Sequence, residues 1–303
     1  MIELGDLATG MLASTLRLAT PIILAALAGL LSYHVGLVNI ALEGFMLVGA
    51  FAAVVLAAYT GSTWVGVVIA MLAGASMAGL FGLFVTDFRG DLIVIGLAVN
   101  FLALGSTAYL LHILFNTSGT IAPVGLTKLP TLDVGFLSDI PFLGPVLFNH
   151  SVIVYVSWVL IPITAIFLYR TVPGLHIRAV GEDIEAAVTA GISIRKMQYL
   201  ALILGGVLCG LAGAHLSVGD LSLFRENMTN GRGFIALAAV FFAAGKPKMT
   251  AIACLLFGLF DALQFRLQAT SNVPSQIFQM LPYLIVVVML ILISIRKEWR
   301  KGW

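Results

Sequence analysis

Eight predominantly apolar stretches recur along the chain, near residues 11 to 33, 39 to 60, 64 to 86, 92 to 115, 151 to 170, 197 to 217, 250 to 268 and 276 to 295. About 20 such residues form a helix long enough to cross about 30 Å of hydrocarbon. Each helix then satisfies its own backbone hydrogen bonds, which lipid cannot do for it. The expected fold class is therefore all-α: one polytopic transmembrane helix bundle spanning residues 1–303, with no soluble domain beside it. Composition agrees, because 60% of the residues are hydrophobic and only 10% are charged, with a mean hydropathy of +1.08. Soluble domains carry about a quarter charged residues, so membrane lipid is the expected solvent. The 16 Lys+Arg nearly balance the 14 Asp+Glu, which leaves nucleic-acid binding without an electrostatic basis.

A ninth apolar segment, GRGFIALAAVFFAAG at 231–245, is too short for a comfortable crossing. It reads as a broken or re-entrant helix, tolerated where protein or a water-filled cavity covers its exposed backbone. The total is about 8–10 spans. At the N-terminus Glu3 and Asp6 stand where a secretory signal would carry positive charge, so the first span is expected to be retained. Cytoplasmic loops hold the basic residues, and Arg89, the segment from Arg170 to Lys196, Lys246 with Lys248, and the tail from Arg296 to Lys301 all fit on one side. That places the C-terminus and a loop at about 171–196 in the cytoplasm, and a loop at about 116–150 outside. With the short segment counted as a crossing there are nine passages and an external N-terminus.

Ionisable groups at membrane depth are costly and become functional candidates. Glu43 follows a Gly-punctuated stretch and is accompanied by Asn39. Either it faces a solute path, or it caps a helix break and ties two spans together. Asn100 is likewise an interhelical tie or a solute ligand. Asp261, Gln264 and Gln268 share one helix face by their spacing, and that face either lines a polar path or holds an Asp261–Arg266 neutralisation. Arg17, near a span end, reads as snorkelling. The histidines His34, His112, His150, His176 and His215 are scattered singly, and no nucleophile, base and oxyanion set is present, so no catalytic residue is assigned. Cys209 and Cys254 lie in apolar runs and read as core residues, not metal ligands.

The polar stretch YRTVPGLHIRAVGEDIEAAVTAGISIRKMQY is longer than an ordinary connection. Asp183 to Ala190 reads as a short helix with acidic residues at its start and Gly191 as its stop. A surface helix anchored between two spans can pass force into them.

These residues resemble a known family. Glu185, Ala186 and Ala187, followed after three residues by Gly191, are similar to the EAA-x3-Gly element through which ABC importer permeases dock on their ATPases, without the Ile-x-Leu-Pro that completes it in many. RAVGEDIEAAVTAGI looks like the variant found in permeases of ribose, branched-chain amino acid and nucleoside importers. GLVNIALEGFMLVGA (36–50) resembles the Asn-Ile-x-x-Glu-Gly signature of permeases that serve basic-membrane-lipoprotein-type receptors, whose substrates are nucleosides. Residues 230–248, 256–268 and 279–290 are typical of the same group, although AAGKPK departs from the aromatic residue and Asn that many relatives place before the Pro.

The resemblance implies a bacterial inner-membrane assembly. Its parts are this subunit, a second homologous permease, an ATP-binding subunit with two nucleotide-binding halves, and a lipoprotein or periplasmic substrate-binding protein. The sequence contains no Gly-x4-Gly-Lys-Ser/Thr phosphate loop, so ATP is expected on the partner and no cofactor on this chain. Gly181, Glu182, Asp183, Glu185, Ala186, Ala187 and Gly191 become the expected ATPase-coupling residues. Asn39, Glu43, Asn100, Asp261 and Gln264 become the expected solute path, with Phe45 and Phe101 beside it as stacking faces or, alternatively, as core or lipid-facing fillers. A permease for simple sugars or another small metabolite is the nearest rival. An ion-driven secondary transporter using Glu43 and Asp261 as coupling acids is a second.

Overall fold

The computed structural model describes residues 4–123, 125–132, 143–270 and a few separate positions beyond 270. Its long helices are α1 (Leu4–His34), α2 (Leu42–Thr60), α3 (Thr63–Gly82), α4 (Leu92–Phe115), α6 (Val152–Arg170), α9 (Ile194–Ala214) and α11 (Pro247–Thr270). Short helices are α5 (Leu143–Leu147), α7 (Val172–Glu182), α8 (Ile184–Thr189) and α10 (Arg232–Phe242). Among the described residues seven helices are long and apolar enough to cross a membrane. They match the first seven expected spans, whereas the eighth, 276 to 295, lies outside the described residues apart from isolated positions.

The helix ends follow local chemistry. Asp91 Oδ1 accepts from the Ile93 and Val94 N–H groups at 2.9 Å and starts α4. Asn116 ends α4 in the left-handed region, at φ 51°. Asp183 Oδ1 accepts from Glu185 N–H at 2.9 Å and Ala186 N–H at 3.0 Å, satisfying donors that the first turn of a helix leaves orphaned. Gly191, at φ 76°, stops the helix that follows. α3 and α9 each run on into a π-helical turn, at Leu83–Asp87 and His215–Leu221.

α1 and α9 form the centre. From Ile22 to Leu31 nearly every α1 side chain is buried, as expected of a helix apolar on all sides. In lipid, helices associate by close packing of small residues, and here glycines do so. A Cβ on Gly74 would collide with the Gly206 carbonyl, and one on Gly210 with the Ala70 carbonyl, so α3 and α9 touch backbone to backbone. α4 is peripheral and presents Ile93, Val94, Tyr109 and Ile113 outward.

Two-residue ladders pin the expected outer loop to the bundle. β1 (Thr120–Ile121) pairs with β4 (Phe224–Arg225), and β2 (Thr131–Leu132) with β3 (His150–Ser151). At the opposite end the Arg195 guanidinium reaches Asp87 at 2.8 Å and the Tyr199 hydroxyl donates to Asp87 at 2.9 Å. The turn after α1 lies against α7 there, with Gly36 close to Gly181. Arg89, Arg170, Arg195, Lys196, Lys246 and Lys248 belong to helix ends or turns at this end, and Arg178 to α7 itself; these are the basic residues from which the sequence-based orientation was read.

The expected short helix is present but differs in detail. α10 has 11 residues, and Gly231, at φ 79°, turns the chain into it. Its first turn is held inside the bundle by Glu43. The turn after it returns to the α7 end, where the Gly245 carbonyl meets His34.

Candidate functional site

Two broken helices meet where α2 and α10 begin. The break before α2 is closed by two asparagines. Asn39 Oδ1 accepts from Ala41 N–H at 3.1 Å, and Asn39 Nδ2 donates to Ser32 Oγ at 3.4 Å. Asn100 Nδ2 donates to the Ile40 carbonyl at 3.0 Å, while its Oδ1 accepts from Gly44 N–H at 2.8 Å. One carboxamide thus satisfies both a carbonyl and an amide that the break in the helix leaves without helical partners. Asn100 stands eight residues into α4, roughly 12 Å of helical rise from the basic end.

Glu43 does the same for α10. Its Oε1 accepts from Gly231 N–H at 2.7 Å and its Oε2 from Gly233 N–H at 2.7 Å. The site needs glycine, because a Cβ at 233 would run into the Glu43 backbone. A carboxylate at a helix N-terminus also complements the dipole. This is the geometry of one of the two readings open from the sequence, the cap that ties spans together.

Both residues also border a cavity of about 440 Å³, lined as well by Leu97, Phe101, Leu104, Phe234, Asn227 and Asn230. Each carboxylate oxygen can accept more than one hydrogen bond, and Asn100 retains a second amide hydrogen. The caps therefore keep polar capacity to offer a solute. Phe101 is 71% exposed and Phe234 41%, leaving two aromatic faces at the cavity. An apolar wall with a few placed polar groups is the usual character of a small-molecule site.

The other expected path residues lie elsewhere. Phe45 is wholly buried, edge-on to Phe81 with centroids 6.1 Å apart, so it is a core filler and stacks on no solute. Asn39 is buried in the turn beneath and does not line this cavity. Asp261 and Gln264 are buried on α11 and do not line it either. Asp261 has a partner from outside its own helix, Arg232 Nε at 3.7 Å. Arg17 has its guanidinium 3.4 Å from Asp220, so it is paired as well as near a span end.

Asn227, Asn230 and Phe234 are the residues that sequence reasoning missed. A signal was present: a polar turn, ENMTNG, leads directly into a broken helix, and in discontinuous membrane helices such turns border binding sites.

At the basic end, α8 projects from the bundle. Glu182, Asp183, Glu185 and Ala186 are exposed, while Ala187 is buried and anchors the helix. Ile184 and Val188, one helical turn apart, are 53% and 55% exposed. That short apolar stripe was not singled out from the sequence. Gly181 lies where a Cβ would strike the His34 carbonyl, so the helix carrying α8 is seated directly on the end of α1. Among the described residues no group of His, Cys, Asp and Glu is arranged to hold a metal.

A lipid-spanning bundle, with a solute-sized cavity between broken helices and a surface helix seated on its spans, has the parts of a transport subunit. The family described as branched-chain amino acid transport system / permease component matches residues 11–293, and the chain belongs to it. It is 35% identical to the putative glucose ABC transporter permease protein TsgC13 of Haloferax volcanii, over 96% of this chain and 93% of that one. It is 34% identical to the guanosine ABC transporter permease protein NupQ of Bacillus subtilis, over 91% and 89%. Identity to the nucleoside ABC transporter permease protein NupC of Lactococcus lactis is 31%, over 92% and 90%. No solved structure matches the chain. The chain is thus a multi-pass membrane transport subunit.

Proposed function

We propose that this permease conducts nucleosides inward across the cytoplasmic membrane by alternating access, with the α7–α8 end and the C-terminus in the cytoplasm. ATP is hydrolysed on a partner subunit that grips α8. A second homologous permease completes the path, and a lipoprotein or periplasmic receptor delivers the solute. The observation that carries the substrate class is the cavity itself. Phe101 and Phe234 offer faces on which a base can stack, while Asn100, Glu43 and Asn227 offer amide and carboxylate groups for its polar edge and the ribose. The guanosine and nucleoside permeases among its relatives support the same class.

A sugar is the second reading, favoured by the likeness to a putative glucose permease. Uptake competition separates the two. In cells expressing the whole transporter, excess unlabelled nucleosides are expected to abolish import of labelled guanosine, and pentoses or glucose to leave it unchanged. Import blocked by sugars alone would assign the cavity to them. Phe234→Ala removes a stacking face and is expected to raise the KM for a nucleoside by about tenfold, a stacked base being worth roughly 1–3 kcal/mol.

A further inference from the structure

α10 touches the candidate cavity with one end and the α7–α8 elbow with the other. Its first turn donates from Gly231 and Gly233 to Glu43. At its far end the chain turns through Gly245, at φ 70°, and the Gly245 carbonyl is 2.8 Å from His34 Nε2. A carbonyl oxygen only accepts, so Nε2 is the protonated ring nitrogen. His34 is also the last residue of α1, and its own carbonyl lies against Gly181 of α7. The His34 ring is edge-on to Tyr169 at 6.0 Å, and the Arg178 guanidinium of α7 stacks over Tyr169 at 4.9 Å. Tyr33 packs edge-on to Phe241 of α10 at 5.9 Å.

We infer that α10 is the rod that carries movement of the α7–α8 elbow to the cavity, and that His34 is the positioning residue pinning its lower end. The inference rests on the permease reading above and adds the route of coupling. A short helix of 11 residues moves as one piece, because its backbone bonds are internal. Displacing Gly181 displaces the His34–Gly36 turn. The Nε2 bond then takes Gly245 with it, and the opposite end of α10 shifts the Glu43 carboxylate at the cavity wall. A chain of packed, hydrogen-bonded elements of this kind can carry coupling, but only measured coupling establishes that it does. The same bond would serve a purely structural purpose as a tie on the turn between α10 and α11, and the test must tell these apart.

The test compares His34→Gln with His34→Asn in the full transporter reconstituted with its partner subunits in proteoliposomes. A Gln amide nitrogen reaches the position of Nε2, whereas an Asn amide nitrogen stops near Nδ1. Two readouts are taken: ATP hydrolysis, and solute taken up per ATP. We expect His34→Asn to hydrolyse ATP within about twofold of wild type while uptake per ATP falls about tenfold, in the range that linkage residues produce. His34→Gln is expected to restore uptake per ATP to within about twofold of wild type. Unchanged uptake per ATP in His34→Asn would overturn the inference, as would a loss in His34→Gln equal to that in His34→Asn. A parallel fall of hydrolysis, uptake and assembled complex would assign His34 to structure and overturn it too. Absence of ATP-driven uptake in wild type would instead strike the permease reading.

Discussion

Glu43→Ala is expected to reduce solute uptake at least tenfold and to lower the thermal stability of the detergent-solubilised chain. Both carboxylate oxygens accept from backbone N–H groups at 2.7 Å, and the residue is only 7% exposed. Hydrogen bonds to a charged acceptor contribute about 1.5–3 kcal/mol each. Alanine leaves the amides of Gly231 and Gly233 without a partner at a depth where water does not readily replace it. A loss of roughly 3 kcal/mol is reasonable for the pair. Glu43→Gln discriminates further. It keeps one acceptor oxygen but turns an NH2 toward the second N–H, donor against donor, so it is expected to fall between Ala and wild type in both thermal stability and uptake. Glu43→Asp, shorter by a methylene, cannot span both amides and is expected to behave like Gln or worse. Wild-type uptake in Glu43→Gln would mean that this cap does not shape the transport path.

The second large effect is expected at Gly210. A Cβ there would meet the backbone of Ala70 and Met71 on α3, and Gly49 of α2 approaches Gly210 so closely that its own Cβ would come within 2.7 Å of the Gly210 Cα. Three helices therefore meet at a residue with no side chain. Overpacking usually costs about 1–3 kcal/mol, and here the obstacle is backbone, which cannot rotate aside. Gly210→Val is expected to abolish accumulation of folded chain, and Gly210→Ala to lower the melting temperature clearly. Gly79→Ala is the matched control. It lies inside α3 with nothing within 4 Å of an added Cβ, and replacing an unhindered helical glycine gains up to about 1 kcal/mol. Fluorescence-detected size exclusion after a heat step reads all three; equal behaviour of Gly210→Ala and Gly79→Ala would contradict the crossing.

What the sequence made legible follows from the same physics. A span announces itself, because about 20 apolar residues are needed and few soluble contexts supply them. Seven spans and the short helix at 232–242 were readable to within a few residues. The start of α8 was readable because Asp183 is a local cap, and its end because Gly191 is a local stop. α7 was not. Its Val172–Glu182 segment is polar enough to pass for loop, yet Gly174, Ile177 and Val180 recur at helical spacing on a buried face.

Side-chain direction was the main thing hidden. Phe45 and Phe101 each neighbour a polar candidate, but one is sealed in the core and the other faces the cavity. A helix that is apolar all round carries no pattern to say which face points where. The partners of Glu43 were equally illegible, since Gly231 and Gly233 lie nearly 190 residues away and no local rule connects them. Asp261 and Arg232 sit on different helices, α11 and α10, whereas a partner on its own helix was the only one the sequence could suggest.

In the proposed function a separate nucleotide-driven motor moves solute through this bundle. The most direct measurement is uptake of labelled guanosine into proteoliposomes that hold the complete transporter, with ATP supplied at the α7–α8 face, compared before and after inactivation of the partner ATPase. Uptake is expected to stop with the ATPase and to be indifferent to collapse of proton and sodium gradients. Uptake that continues without ATP hydrolysis and ceases when an ion gradient is dissipated would contradict the proposed function and assign the transport to ion coupling.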